Sequence, residues 1–150
     1  MKVTFLLGSK TDIEYAQTIA DLLKNDFSIP SEIIVASAHK VPEKVVAIIE
    51  KLNQDPQPQV VITVVGMSNG LAGVVAGSCV HPVVNCPPFG SLEEYMVDLH
   101  SSLRMPSDVP VMTVLNEKNA ALAAAKILGE ADAKVRERIV ERIKNVKSKY

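Results

Sequence analysis

Three short segments carry the residue types that do chemistry: Gly-Ser-Lys-Thr-Asp at 8–12, Ser-Ala-His-Lys at 37–40 and Gly-Met-Ser-Asn-Gly at 66–70. Together they hold small residues with accessible main-chain N–H groups, several hydroxyls, the carboxylate of Asp12, the imidazole of His39 and the ammonium of Lys40. Each follows a hydrophobic run of strand type. In an open α/β sheet such loops gather outside the carboxyl ends of the strands, where ligands bind. The inventory suits a small anionic substrate and one proton transfer. It points to an enzyme.

His39 is the most pointed of these residues, because an imidazole can donate and accept a proton in one catalytic cycle. Ser37, Ala38 and Lys40 flank it, and Lys40 supplies a fixed positive charge for a phosphate or carboxylate. Gly8 and Ser9 open the first segment, where N–H groups at a helix start hold an anion and Asp12 accepts hydrogen bonds from sugar hydroxyls. Ser9 or Asp12 acting only as a helix cap is an equal alternative. In the third segment Gly66, Asn69 and Gly70 tolerate unusual backbone angles and let a ligand approach the main chain beside Met67 and Ser68. An ordinary strand-to-helix turn would use the same residues. His81 and His100 read as structural, and no Cys/His cluster has metal-ligand spacing. The first segment lacks the spacing of a phosphate-binding P-loop or a dinucleotide fingerprint.

The elements that must position these groups alternate along the chain. Lys2–Leu7 is an apolar run closed by Gly8, the pattern of a buried strand. Asp12 then stands where it can cap a helix with the stripe Ile13, Ala16, Ile19, Ala20 and Leu23. A second strand covers 32–36, and Pro42 suits the first turn of a helix carrying Val45, Ile48, Ile49 and Leu52. A proline-containing loop at 55–59 precedes a strand at 60–65; a weaker strand at 81–85 and another at 111–115 follow. Near-continuous apolar strands in βαβ order imply a parallel sheet covered on both faces. The expected fold is a three-layer αβα, flavodoxin-like, doubly wound sheet. A charged amphipathic helix at about 131–148, with Val135, Ile139, Ile143 and Val146 on one side, closes the chain.

Composition sets the outer limits. The 150 residues fit one domain, charged residues make up 22%, and the net charge is −1, so neither a nucleic-acid nor a membrane surface is suggested. Aromatics at 4% argue against a base-stacking platform. Cys79 and Cys86 read as partly buried free thiols in a reducing, cytoplasmic setting. Residues 56–92 contain no Asp, Glu, Lys or Arg, yet glycines, Asn69 and Pro82 interrupt them too often for a membrane span of about 20 apolar residues. That stretch, with the nearly all-apolar helix at 120–128, is expected to make extensive subunit contacts.

Taken as a set, the loops resemble the phosphoribosylaminoimidazole (AIR) carboxylase family over roughly residues 3–129. The marks are Leu7-Gly8-Ser9-Lys10-Thr11-Asp12, Ser37-Ala38-His39-Lys40, Ser68-Asn69-Gly70-Leu71, Asn85-Cys86-Pro87-Pro88 and the run Ser101-Ser102-Leu103-Arg104-Met105-Pro106-Ser107. The Ser-Ala-His-Lys and Ser-Asn-Gly-Leu forms look like class II. Class I members usually carry Ser-Ala-His-Arg and a Gly-Gly-Ala-Ala-His loop. Position 67 is Met where class II commonly has Arg.

The resemblance implies an enzyme of purine biosynthesis that joins aminoimidazole ribonucleotide and carbon dioxide reversibly, giving the 4-carboxylate without ATP, biotin or metal. It implies that Gly8, Ser9, Asp12, Ser37, Ala38 and Lys40 hold the ribose phosphate and nearby groups. Gly66 and Ser68 would line the carboxylate or carbon dioxide site, with Met67 and Asn69 also counted as substrate-binding, His39 moving the ring-carbon proton and Lys40 beside it in the catalytic pair. It further implies a homo-octamer with active sites near subunit boundaries. Two alternatives stand beside this reading: the class I mutase, which moves a carboxylate from the exocyclic nitrogen to the ring carbon, and a non-catalytic flavodoxin-like nucleotide-binding module.

Overall fold

The computed structural model describes all residues, 1–150. Five parallel strands form one sheet in the order β2-β1-β3-β4-β5. They are β1 (Lys2–Leu7), β2 (Ser31–Val35), β3 (Gln59–Val64), β4 (Val83–Asn85) and β5 (Met112–Thr113). The helices are α1 (Ile13–Phe27), α2 (Pro42–Gln54), α3 (Gly70–Ala76), α4 (Leu92–Leu103), α5 (Glu117–Leu128) and α6 (Ala133–Lys147). This is the flavodoxin-like doubly wound order, with its topological switch between β1 and β3.

Alternating side chains of the central strands feed two cores. On one face Val3, Phe5, Leu7, Ile62 and Val64 pack with Ile19, Leu23 and the alanines of α5. On the other, Leu6, Val61 and Val65 meet Val45, Ile49, Leu71 and Val75. Every residue of β3 is buried, as a central parallel strand requires.

Several expectations shift. β4 is shorter than the expected 81–85, because Pro82 has no N–H to give the ladder and a His81 ring nitrogen sits 2.9 Å from the Leu52 carbonyl oxygen. β5 holds only two ladder residues beside Pro110 at the sheet edge. The largely apolar helix α5, charged only at Glu117, Lys118 and Lys126, buries one face inside the protomer: Ala120, Ala121, Ala124, Ala125 and Leu128 are buried, all in the core shared with α1 and α6. Leu122, Ala123 and Ile127 of the same helix are only half-buried. Exposed apolar side chains concentrate instead at Leu92, Met96, Val97 and Leu103 of α4 and at Val74 and Val80 nearby in the chain. Cys79 and Cys86 are free thiols. No helix is long and apolar enough to cross a membrane.

Candidate active site

All three chemistry-bearing segments leave the carboxyl ends of adjacent strands: 8–12 after β1, 37–40 after β2 and 66–70 after β3. Two glycines draw them together. A Cβ added at Gly8 would lie 3.2 Å from Val65 Cγ1, so the first segment packs against the residue that leads into the third, at the switch point. A Cβ at Gly70 would lie 2.8 Å from His39 Nε2 and 3.1 Å from Cε1, so the imidazole of the second segment is seated against the third. The backbone after β4 also arrives here, because a Cβ at Gly66 would meet the Pro88 carbonyl oxygen at 3.5 Å.

The first segment resolves the capping question. Residues Lys10–Asp12 form a 3₁₀ turn, and Ser9, not Asp12, is the residue that caps it. Thr11 N–H donates to Ser9 Oγ at 3.3 Å, while Ser9 N–H donates to Asp12 Oδ2 at 3.1 Å, a reciprocal capping box. Asp12 precedes α1 but makes no side-chain cap to it, so the option that it caps that helix is not realised. Partial burial holds the Asp12 carboxyl above the usual carboxylate range, partly offset by hydrogen bonds from Ser9 N–H and the Thr11 hydroxyl. No ion pair of the protein involves Lys10, Asp12, His39 or Lys40.

In the second segment Val41 N–H donates to the Ser37 carbonyl at 2.9 Å, closing the turn that displays Ala38, His39 and Lys40. His39 and Lys40 are exposed, with no hydrogen-bond partner for either side chain. Lys44, one turn into α2, is occupied elsewhere, donating to the Val35 carbonyl at 2.8 Å.

The third segment is fastened to α4. Met67 has φ 57°, in the left-handed region, and its N–H donates to Asp98 Oδ2 at 3.0 Å. Asn69 is buried: its Oδ1 accepts from Ala72 N–H at the start of α3, and its Nδ2 donates to Ser102 Oγ at 2.9 Å. The Asn69 side chain thus holds the loop, while Ser68 stays exposed.

The sequence offered Ser101 and Ser102 only as marks of a resemblance; helix α4, Asp98 and the contacts of all three residues were not anticipated. The available signal was Ser91 followed by Glu94: Glu94 N–H donates to Ser91 Oγ at 3.1 Å, a helix-start signature. It also left Tyr15 without a role. The Tyr15 hydroxyl lies 3.5 Å from Cys86 Sγ, and burial pushes the Cys86 thiol up to about 11, away from the range of reactive thiols. No group of three or more His, Cys, Asp or Glu side chains has metal-ligand geometry. What gathers at this edge is a set of hydroxyls and main-chain N–H groups, one ammonium and one imidazole without a partner in the protein.

The AIR carboxylase family model matches residues 2–149. The chain is 43% identical over 141 residues to a phosphoribosylaminoimidazole carboxylase of Archaeoglobus fulgidus, covering 94% of this chain and 76% of that one. It is 38% identical over 128 residues to a human bifunctional phosphoribosylaminoimidazole carboxylase/succinocarboxamide synthetase, of which it spans 30%. The crystal structure of Treponema denticola PurE superposes with a TM-score of 0.91 at 35% identity, covering 98% of this chain and 92% of that chain. A matching fold, matching coverage and the gathered loops lead to one conclusion: this chain belongs to the AIR carboxylase family of enzymes.

Proposed function

We propose that the protein catalyses the class II reaction of purine biosynthesis, the reversible, ATP-independent carboxylation of 5-aminoimidazole ribonucleotide by carbon dioxide to the 4-carboxylate. The observation that carries this reading is the free imidazole of His39, in the second segment, seated against Gly70 of the third. The enamine-like aminoimidazole is already a carbon nucleophile. The protein therefore need only hold both partners and move one proton.

Gly8, Ser9, Asp12, Ser37, Ala38 and Lys40 hold the ribose phosphate and its neighbouring groups. Gly66, Met67, Ser68 and Asn69 form the carbon dioxide and carboxylate end, Asn69 through the main chain that its buried side chain fixes. The ring carbon forms the new bond to carbon dioxide, whose electron pair moves onto oxygen. His39 then takes the ring-carbon proton, restoring the aromatic ring, and returns it in decarboxylation.

Two features favour carbon dioxide over a carboxylate delivered on the substrate nitrogen. Lys40 stands where class I has a planar arginine clamp, and a compact ammonium on a flexible stem is a different device. Ser68 brings an unpaired hydroxyl where class I has a small, flat loop, while the Asn69 side chain is spent on holding that loop to Ala72 and Ser102. Residues 1–150 act as one catalytic unit in the cytoplasm. The exposed apolar side chains of α4 support assembly into an octamer.

The test is a decarboxylation assay on the 4-carboxylate without ATP, followed by carboxylation of aminoimidazole ribonucleotide. The forward rate should rise with bicarbonate and carbonic anhydrase, and the nitrogen-carboxylated isomer should react poorly under carbon dioxide depletion. Rapid conversion of that isomer with no bicarbonate dependence would establish the mutase instead, with Met67 the position to re-examine first.

A further inference from the structure

The third segment has five main-chain N–H groups, and α4 selects among them. Met67 N–H donates to Asp98 Oδ2 at 3.0 Å and Asn69 N–H to Ser101 Oγ at 3.1 Å. Gly70 N–H turns back to the Ser68 carbonyl at 3.1 Å. Gly66 and Ser68 alone keep N–H groups with no partner in the protein, and the Ser68 hydroxyl is also unpaired.

Ser101 is the centre of this fastening. Its hydroxyl lies 3.0 Å from the Met67 carbonyl oxygen and 2.8 Å from the Asp98 carbonyl oxygen, able to donate to either while accepting from Asn69. Asp98, Ser101 and Ser102 are spaced i, i+3, i+4, so they share one face of α4. Ser102 is tied in turn to the sheet, its carbonyl accepting from Thr113 Oγ1 of β5 at 3.1 Å. The chain of contacts runs from β5 through α4 to a methionine held in a left-handed conformation, which a non-glycine residue adopts at a cost.

We propose that Asp98 and Ser101 are positioning residues for the carboxylation reaction. By occupying the N–H groups of Met67 and Asn69, they hold the loop in the one arrangement that leaves Gly66 N–H, Ser68 N–H and the Ser68 hydroxyl for the carboxylate end of the substrate. Asp98 suits this task because a carboxylate accepting from a main-chain N–H makes a charge-assisted bond, stronger than a neutral one. The inference rests on the carboxylase reading for the chemistry served, while the fastening itself is testable without substrate.

The experiment has two arms on the full chain. In hydrogen exchange, the Met67 and Asn69 amides should be protected in the wild type, with protection lost in Asp98→Ala and Ser101→Ala. Free exchange of both amides in the wild type would overturn the proposal. In the kinetic arm, each alanine variant should lose roughly tenfold or more in kcat/KM for decarboxylation, the scale expected when reacting groups are slightly misplaced. Affinity for aminoimidazole ribonucleotide, which lacks the carboxylate, should stay within about threefold, and Asp98→Asn and Ser101→Thr, which keep an acceptor, should recover most of the loss. Equal weakening of both nucleotides, or wild-type kinetics in the alanine variants, would overturn the positioning role. A wild-type protein that protects both amides but decarboxylates nothing would refute the functional reading while the fastening stood.

Discussion

The two ends of the sheet treat charge in opposite ways. At the amino end Lys2 Nζ lies 2.9 Å from Glu32 Oε1 and 3.8 Å from Asp55 Oδ2, and Thr4 Oγ1 donates to the same Glu32 oxygen at 3.1 Å. The Asp26–Arg142 and Glu130–Arg136 pairs belong to the same side, since α1 and α5 run back from the carboxyl edge and end there. At the carboxyl end Asp12, His39 and Lys40 have no ionic partner at all. The pKa directions follow the same division. The Lys2 ammonium holds the Glu32 carboxyl below the usual range, whereas burial holds Asp12 above it. Paired charges can serve only the fold, and unpaired ones cost the fold something and remain available to a ligand.

If that division is real, the largest effect belongs to the freest group. His39→Asn should abolish turnover, by roughly 10²–10⁴ or more, while nucleotide affinity stays within about tenfold. Single-turnover decarboxylation beside equilibrium binding measures both. Near-normal turnover would remove His39 from the chemistry.

Gly70→Ala should approach that effect without touching a reactive group. Gly70 begins α3 and its φ is not in the left-handed region, so alanine fits the backbone there and favours the helix by about 0.5–1 kcal/mol. Its Cβ would nevertheless stand 2.8 Å from His39 Nε2 and push the imidazole away. A fall in kcat of about 10²-fold with an unchanged or raised Tm is expected. Unchanged kcat would show that the seat of His39 against Gly70 is irrelevant to the reaction.

Asp12→Asn sharpens the comparison at the next level down. The asparagine keeps an oxygen for Ser9 N–H, so the capping box survives in part. Because the folded state raises the Asp12 pKa, this group's favourable contribution to stability is present below its ordinary pKa and lost as pH rises through the folded value. At neutral pH the charge is therefore a burden, and the amide should leave Tm unchanged or higher. Substrate affinity should fall by about tenfold or more, the scale of a lost hydrogen bond to a charged group. In the wild type, acidification should weaken binding at a pH above the usual carboxylate range. Unchanged affinity would make Asp12 a capping residue and nothing more.

Much of this architecture was legible in the sequence where burial imposed a period. The runs of β1 and β3 and the stripes of α1 and α2 face the sheet or lie within it, so their apolar spacing reports their environment directly. Helix α4 escaped because Leu92, Met96, Val97 and Leu103 are exposed and its one buried residue is Ser102, leaving no inward stripe to detect. The loops' residue types raised the expectation of an anion site and a proton carrier. Their mutual arrangement was not legible, because it depends on what is missing: the absent Cβ atoms of Gly8 and Gly70 bring the segments together. Asn69 illustrates the same limit. Its type suited a ligand contact, yet its buried amide is spent on Ala72 and Ser102, partners visible only once the chain is folded.

The smallest effect lies at the opposite edge. Glu32 and Lys2 keep side-chain exposures of 46% and 34%, so solvent screens their attraction, and the pair is worth at most about 1 kcal/mol. Its sign is the reverse of Asp12. A carboxyl whose folded pKa is lowered contributes stability that is present above its unfolded pKa and lost as pH falls through the folded one. Glu32→Gln should therefore lower Tm at neutral pH by no more than about 3 °C. The difference should shrink in about 1 M salt, where the screening length is about 3 Å, and vanish in acid. Decarboxylation kcat/KM should not move, because Glu32 sits at the opposite end of the strands from the reacting groups. A variant with wild-type Tm but impaired turnover would break the division of labour between the two ends, since it would show a paired charge at the amino edge acting on the chemistry at the carboxyl edge.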